Sequence, residues 1–323
     1  MMRAVPAQQA AGQRQVYYSV RRYAMRDRED RSGKLIICFI TAVLMFMILS
    51  PAKTEAAAKL TNMPFPSLYQ KSIVRQSYSG IDITGDRKAD RVTVIVSNTN
   101  GDSSFMNKIR IGVNGKEVWT WASSRYSFGE GFTLKLCTLQ NGKPYLFVKG
   151  EDVNLSAAVC LLLRYINGRM KVIYNFRSGI VDYGYHGAPS AVSGNTIIYD
   201  TYCDTPATGT LGVRFRFDYK NGALKLRSRI GNVIPFFGTK YPSRYYTLIK
   251  DVKYYKSQTS KKAVGQFRKG TKVRVLKVYK TSQKSARIKL LSKSGRIRWV
   301  NGANYFRQGA TKRPIIKEFS YGG

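Results

Sequence analysis

Four Asn-Gly dipeptides constrain this chain more than any other feature. They fall at Asn114-Gly115, Asn141-Gly142, Asn167-Gly168 and Asn221-Gly222. Both central residues of a type I′ turn need φ > 0, and Asn and Gly tolerate that best. Asn-Gly between two apolar runs is therefore the sequence mark of a two-residue β-hairpin. Successive dipeptides are 27, 26 and 54 residues apart, and Gly194-Asn195 divides the long gap near its midpoint. A hairpin thus recurs over 101–230, as expected of a repeated two-strand unit. The flanking runs agree: Val92–Val96, Lys108–Ile111, Thr133–Leu136 and Val213–Phe217 alternate at period two, the pattern of a half-buried strand. No long helical stripe follows residue 60. The expectation is an all-β chain. Its first part is an antiparallel meander, folded as a sandwich or as a partial propeller with too few units to close a ring.

Charge comes next. The chain carries 55 Lys and Arg against 18 Asp and Glu, a net +37. Leu35–Leu49 is a charge-free apolar run of 15 residues behind Arg26, Arg28, Arg31 and Lys34, and Ala56-Ala57-Ala58 follows it. A membrane-spanning helix needs about 20 apolar residues, whereas a signal-peptide core takes about 7–15. Residues 1–58 are therefore expected to be an export signal with its working start at Met25, and membrane contact is expected only through this segment if it stays uncleaved. The remainder, 59–323, holds 46 basic and 14 acidic residues, a net +32. A secreted chain this basic meets anionic wall polymers first, teichoic acids or the carboxylates of peptidoglycan. No specific nucleic-acid partner is expected, because Lys and Arg alternating along strands also describe an ordinary solvated face.

The organisation follows from composition shifts. An all-β hairpin-repeat domain is expected over 59–231. A Pro- and Gly-bearing linker, 232–244, follows it. From 245 to the end, 21 basic residues face 2 acidic ones. A small barrel is expected over 245–307, with a tail over 308–323.

The C-terminal block carries three pieces in order: Val252–Tyr255, Phe267–Val275 with Lys269-Gly270 inside it, and Ser294–Val300 followed by Asn304-Tyr305-Phe306. Together they resemble the bacterial Src-homology-3-like domain of exported cell-wall proteins, with Arg298 where that family usually has Gly before the Trp. The resemblance implies a small five-stranded barrel, peptidoglycan as ligand, and Tyr254, Trp299 and Tyr305 as contact aromatics. The alternative for Trp299 is barrel core.

A shorter segment, Asp82-Ile83-Thr84-Gly85-Asp86-Arg87-Lys88-Ala89-Asp90, resembles the Asp-rich loops of FG-GAP and VCBS-type extracellular repeats. The resemblance implies a Ca²⁺ site with side chains from Asp82, Thr84, Asp86 and Asp90 and the backbone carbonyl of Lys88, since Ca²⁺ takes six to eight oxygens. Arg87 stands where those loops place Gly, a left-handed position that costs a non-Gly residue about a kcal/mol. Arg87, Lys88 and Arg91 also repel a cation. The competing reading is an Asx-rich turn into the strand at Val92.

Catalytic candidates are few. Cys137, Cys160 and Cys203 follow the signal, with no C-x-x-C. With a two-residue turn at Asn141-Gly142, Cys137 faces Leu146, and Leu146 lies beside Val159. That places Cys137 and Cys160 about 9.6 Å apart across two strand spacings, beyond the ~7 Å of a disulfide. Buried free thiols are expected. The lone His186, with Cys203, lacks the neighbours of known wall-cutting signatures, and Glu130, Glu151 and Asp152 sit in or beside turns. The functional expectation is a secreted, cell-wall-associated, non-enzymatic binding protein. The alternatives are a wall- or carbohydrate-active enzyme and a calcium-dependent adhesion module.

Overall fold

The computed structural model describes residues 57–99, 105–129, 131–151, 157–178, 187–235, 242–282, 285–304 and 314–317. The expected signal, through residue 56, lies outside these residues, as do Glu130, Asp152, His186 and Tyr305. Residues Glu55–Gly323 form one compact unit. The described chain is all-β apart from a 3₁₀ turn at Phe176–Ser178, and no described helix is long and apolar enough to cross a membrane.

Strand β1 (Lys59–Met63) leads into a four-stranded meander, β2 (Ile73–Ile81), β3 (Asp90–Ser97), β4 (Lys108–Val113) and β5 (Lys116–Ala122). A second meander follows: β6 (Gly131–Thr138), β7 (Pro144–Glu151), β8 (Ala157–Ile166) and β9 (Arg169–Asn175), with β1 returning to pair with β6. A third begins with β10 (Ala188–Ser193), β11 (Thr196–Thr205) and β12 (Gly209–Lys220), on which β13 (Ala223–Leu226) and β14 (Ile230–Ile234) both pair. The remaining strands are β15 (Tyr246–Thr247), β16 (Val252–Tyr255), β17 (Gly265–Phe267), β18 (Lys272–Ser282), β19 (Ser285–Ser292) and β20 (Ile297–Asn304).

The turns explain why the strands pair as they do. Asn114-Gly115, Asn167-Gly168 and Asn221-Gly222 have φ of 52° and 84°, 50° and 80°, and 51° and 79°. Each closes a two-residue loop, as the registers Val113↔Lys116, Ile166↔Arg169 and Lys220↔Ala223 show. Gly194-Asn195 closes another between Ser193 and Thr196. Asn141-Gly142 differs. Only Gly142 has a positive φ, and Thr138 pairs with Pro144 across a five-residue loop. Cys137 therefore faces Tyr145 rather than Leu146, and Leu146 faces Leu163 rather than Val159. The thiols end up further apart along the strands than a two-residue turn predicts, and Cys137, Cys160 and Cys203 are buried with none in a disulfide.

The sheets stack through two cores. Strand β3 alternates, with Val92, Val94 and Val96 fully buried on one side. Strands β7 and β8 do not alternate: Pro144–Gly150 and Ala157–Leu163 are buried throughout. Leu146, Val148, Leu161 and Leu163 face a core shared with β2–β5. Tyr145, Phe147, Cys160 and Leu162 face the other core, shared with β11, β12 and the C-terminal strands. The β6–β9 sheet is thus a middle layer, and burial on both faces accounts for its unbroken apolar runs. Phe176 locks the second core. Its ring stacks on Tyr199 at 4.4 Å and meets Phe147 and Phe217 edge-on at 5.7 and 5.2 Å.

The expected linker at 232–244 begins inside a strand. Strand β14 pairs with β12 on one edge and with β18 on the other. One antiparallel sheet of eleven strands therefore runs from β10 to β17 in the order β10-β11-β12-β14-β18-β19-β20-β16-β17, with β13 and β15 on its sides. Gly231 makes this join: a Cβ there would lie 2.3 Å from Val213.

Candidate functional site

The acidic loop between β2 and β3 gathers Asp82, Asp86 and Asp90, whose carboxylate oxygens lie within 4.8 Å of one another. Local backbone geometry places them. Gly85 and Arg87 both adopt left-handed φ, 81° and 69°, so Arg87 takes the conformation that the sequence pattern reserves for Gly. Asp82 accepts the amides of Gly85 and Arg87 at 2.6 and 2.9 Å, and Asp86 accepts that of Lys88 at 2.9 Å. Asp90, only 4% exposed, accepts the amides of Ile83 and Thr84 at 2.9 and 3.0 Å.

A residue known from sequence only as a turn former completes this loop. Asn114 donates its Nδ2 to Asp90 at 2.7 Å and accepts the Arg91 amide at 2.8 Å. No local signal marks it, because the partners are 24 and 23 residues away. Burial alone would push the Asp90 carboxyl up. The Thr84 amide, Asn114 and the Ile83 amide outweigh burial and hold it below the usual carboxylate range. Thr84 Oγ1 is itself buried and has no hydrogen-bond partner among the described residues. The donor set of three carboxylates and one spare hydroxyl suits a hard cation. Against it, the carboxylates already accept backbone amides, and Arg87 and Lys88 stand exposed beside them.

In the C-terminal block, Tyr254 and Trp299, the described two of the three expected contact aromatics, are covered. Trp299 is 5% and Tyr254 8% exposed. Tyr254 packs on Phe267 at 4.9 Å, and its hydroxyl accepts Arg296 Nη1 at 3.1 Å. Trp299 meets Tyr279 edge-on at 6.4 Å. Their rings serve as floors for cations. Lys289 Nζ lies 5.7 Å from the Trp299 ring, and Arg296 and Arg298 lie 5.8 and 5.6 Å from that of Tyr254. The closest stack is one that the sequence reading missed: Arg287 sits 4.0 Å over Tyr255, whose hydroxyl accepts Asn301 Nδ2 at 3.2 Å. The Arg287 Nη1 is buried and has no hydrogen-bond partner.

The thiols are poor nucleophiles. Burial pushes Cys137 up to about 12 and Cys160 up to about 11, so both are protonated at neutral pH. Cys160 lies 3.4 Å from the Tyr199 hydroxyl. Beside it, Lys149 is buried and bridges Glu151 at 2.8 Å. A single lysine inside the apolar run of β7 was the one sequence sign of this pair.

Comparison of the chain with protein-family models, with curated proteins and with solved structures finds no match.

Proposed function

We propose that this is an exported, surface-associated binding protein without catalytic activity, retained on the anionic polymers of a cell wall. One observation carries the reading. The C-terminal block is densely basic, and of its two acidic residues the described one, Asp251, is bound to Arg268 at 2.9 Å. The excess of cations over carboxylates in this block can attract polyanions. The strand order β15-β18-β19-β20-β16-β17 supports reading this block as a Src-homology-3-like barrel. The test is sedimentation of the compact unit 55–323 with purified walls across a salt series, followed by mass analysis of the wall fragments. Binding that weakens as salt rises, with fragment masses unchanged, is expected. Altered muropeptide or glycan masses would instead favour a wall-active enzyme.

A second reading attaches to the acidic loop. The clustered carboxylates and the spare Thr84 hydroxyl support a Ca²⁺ site formed by Asp82, Thr84, Asp86, Lys88 and Asp90. A ligand held only by the folded state stabilises it. Added Ca²⁺ should then raise the melting temperature and chelator lower it, and identical melting in both overturns this reading.

A further inference from the structure

The eleven-stranded sheet has one face in the core and one facing away, and the outward face carries a continuous cross-strand row. Arg214 is the register partner of Asn232, Asn232 of Lys277, Lys277 of Lys289, Lys289 of Trp299, and Trp299 of Tyr255. At about 4.8 Å per strand, the row from β12 to β16 is roughly 24 Å long. It crosses the β14–β18 join, so it belongs neither to the hairpin-repeat half nor to the C-terminal half alone. A shorter parallel row, Ile230, Tyr279, Arg287 and Asn301, runs beside it.

Two features separate this face from an ordinary solvated one. The acidic side chains described at the β11–β12 end, Asp200 and Asp218, are already matched. Asp200 takes Arg214 in a two-pronged pair at 2.7 Å, and Asp218 takes Arg227 at 2.8 and 2.6 Å. Lys277, Lys289, Arg287 and the neighbouring exposed Arg216 have no carboxylate partner among the described residues. Lys277 and Lys289 also face each other directly, an arrangement that weakens a strand pair. The fold therefore places like charges together where stability disfavours it. The second feature is Arg287, whose guanidinium lies 4.0 Å over the Tyr255 ring and whose buried Nη1 has no hydrogen-bond partner.

We propose that this outward face, centred on Lys277, Arg287 and Lys289, is the docking surface for a linear phosphodiester wall polymer of the teichoic-acid type. The inference rests on the retention reading and gives it a place and a ligand class. A row of cations without carboxylate partners matches a chain with one negative charge on every repeat, and each lysine ammonium can pair with a phosphate oxygen. Stacking of unpaired bases needs open rings, and Trp299 and Tyr255 are covered. Nucleic acid is therefore the poorer phosphodiester for this surface.

The test compares the unit 55–323 with two triple variants of equal charge. One is Arg216→Glu, Lys277→Glu and Lys289→Glu on the outward face. The other is Lys116→Glu, Arg169→Glu and Lys171→Glu, all exposed on β5 and β9. Each is sedimented with intact walls and with walls stripped of teichoic acid, and thermal melting checks that both remain folded. The expected result is a fall in affinity of about tenfold or more for the outward triple on intact walls. The control triple should fall less than about threefold, and the unaltered unit should bind stripped walls weakly. Equal losses in both triples would overturn the face assignment while leaving retention intact. Undiminished binding of the unaltered unit to stripped walls, or equal competition by single-stranded DNA, would overturn the polymer class. If the unaltered unit binds no walls, the retention reading itself fails.

Discussion

The acidic loop at Asp82–Asp90 and the basic outward face of the large sheet treat concentrated charge in opposite ways. In the loop, like charges converge and the chain answers them itself, with five backbone amides and Asn114. On the sheet, like charges converge and the chain leaves them open, except where Asp200 and Asp218 take their own arginines. Charge satisfied from within points to a structural task. Charge kept apart from its partners points outward, because a fold gains nothing from it. The same difference argues that the basic face is the more functional of the two.

Several changes break or sharpen this contrast. The largest effect is expected at Asp90. Asp90→Ala strips the buried Ile83 amide, the half-buried Thr84 amide and Asn114 of their acceptor and should cost about 3 kcal/mol in denaturant unfolding. A loss below about 1 kcal/mol would mean that the loop is not self-supporting. Asn114→Gly comes next. Glycine keeps the left-handed turn, so the loss, about 1–1.5 kcal/mol, isolates the clamp on Asp90 and Arg91.

The pH response follows from sign. Asp90 is held below its usual range, and so is Asp218, chiefly by Arg227. A carboxylate with a depressed folded value adds stability above the unfolded value of about 3.9, and that stability drains away as pH falls through the folded value. Urea midpoints should therefore hold steady from neutral pH to about pH 5 and decline below about pH 4. In Asp90→Ala the decline should be shallower. The smallest effect is expected on the sheet. Lys277→Gln removes a like-charge neighbour and should be neutral or stabilising by a few tenths of a kcal/mol, while it weakens wall binding. A destabilisation of about 1 kcal/mol would show that the open charge is structural after all.

How much of this was legible follows from range. The loop is local, and nine consecutive residues announced it, including the left-handed position now occupied by Arg87. The hairpins at Asn114, Asn167 and Asn221 were legible for the same reason. Asn141 misled because Asn-Gly sat within a wider loop that ends at Pro144, and the register of two strands shifted with it. The apolar runs of β7 and β8 went unread as a layer buried on both faces, because the sequence does not show what covers them. The basic row was invisible. It depends on β14 pairing with β18, which sets Asn232 beside Lys277. Strands β12, β18 and β19 each show, alone, only that lysines or arginines lie on a polar side. The covering of Trp299 was one of the two readings its sequence allowed, whereas that of Tyr254 depends on neighbours that a pattern of residue types does not record.

The most direct measurement is lysine footprinting of the unit 55–323, free and bound to isolated teichoic acid, with modification read by mass spectrometry. The account predicts that Lys277 and Lys289 lose most of their reactivity on binding, while Lys116 and Lys171 keep theirs. Protection spread evenly over all four, or confined to Lys116 and Lys171, would contradict it.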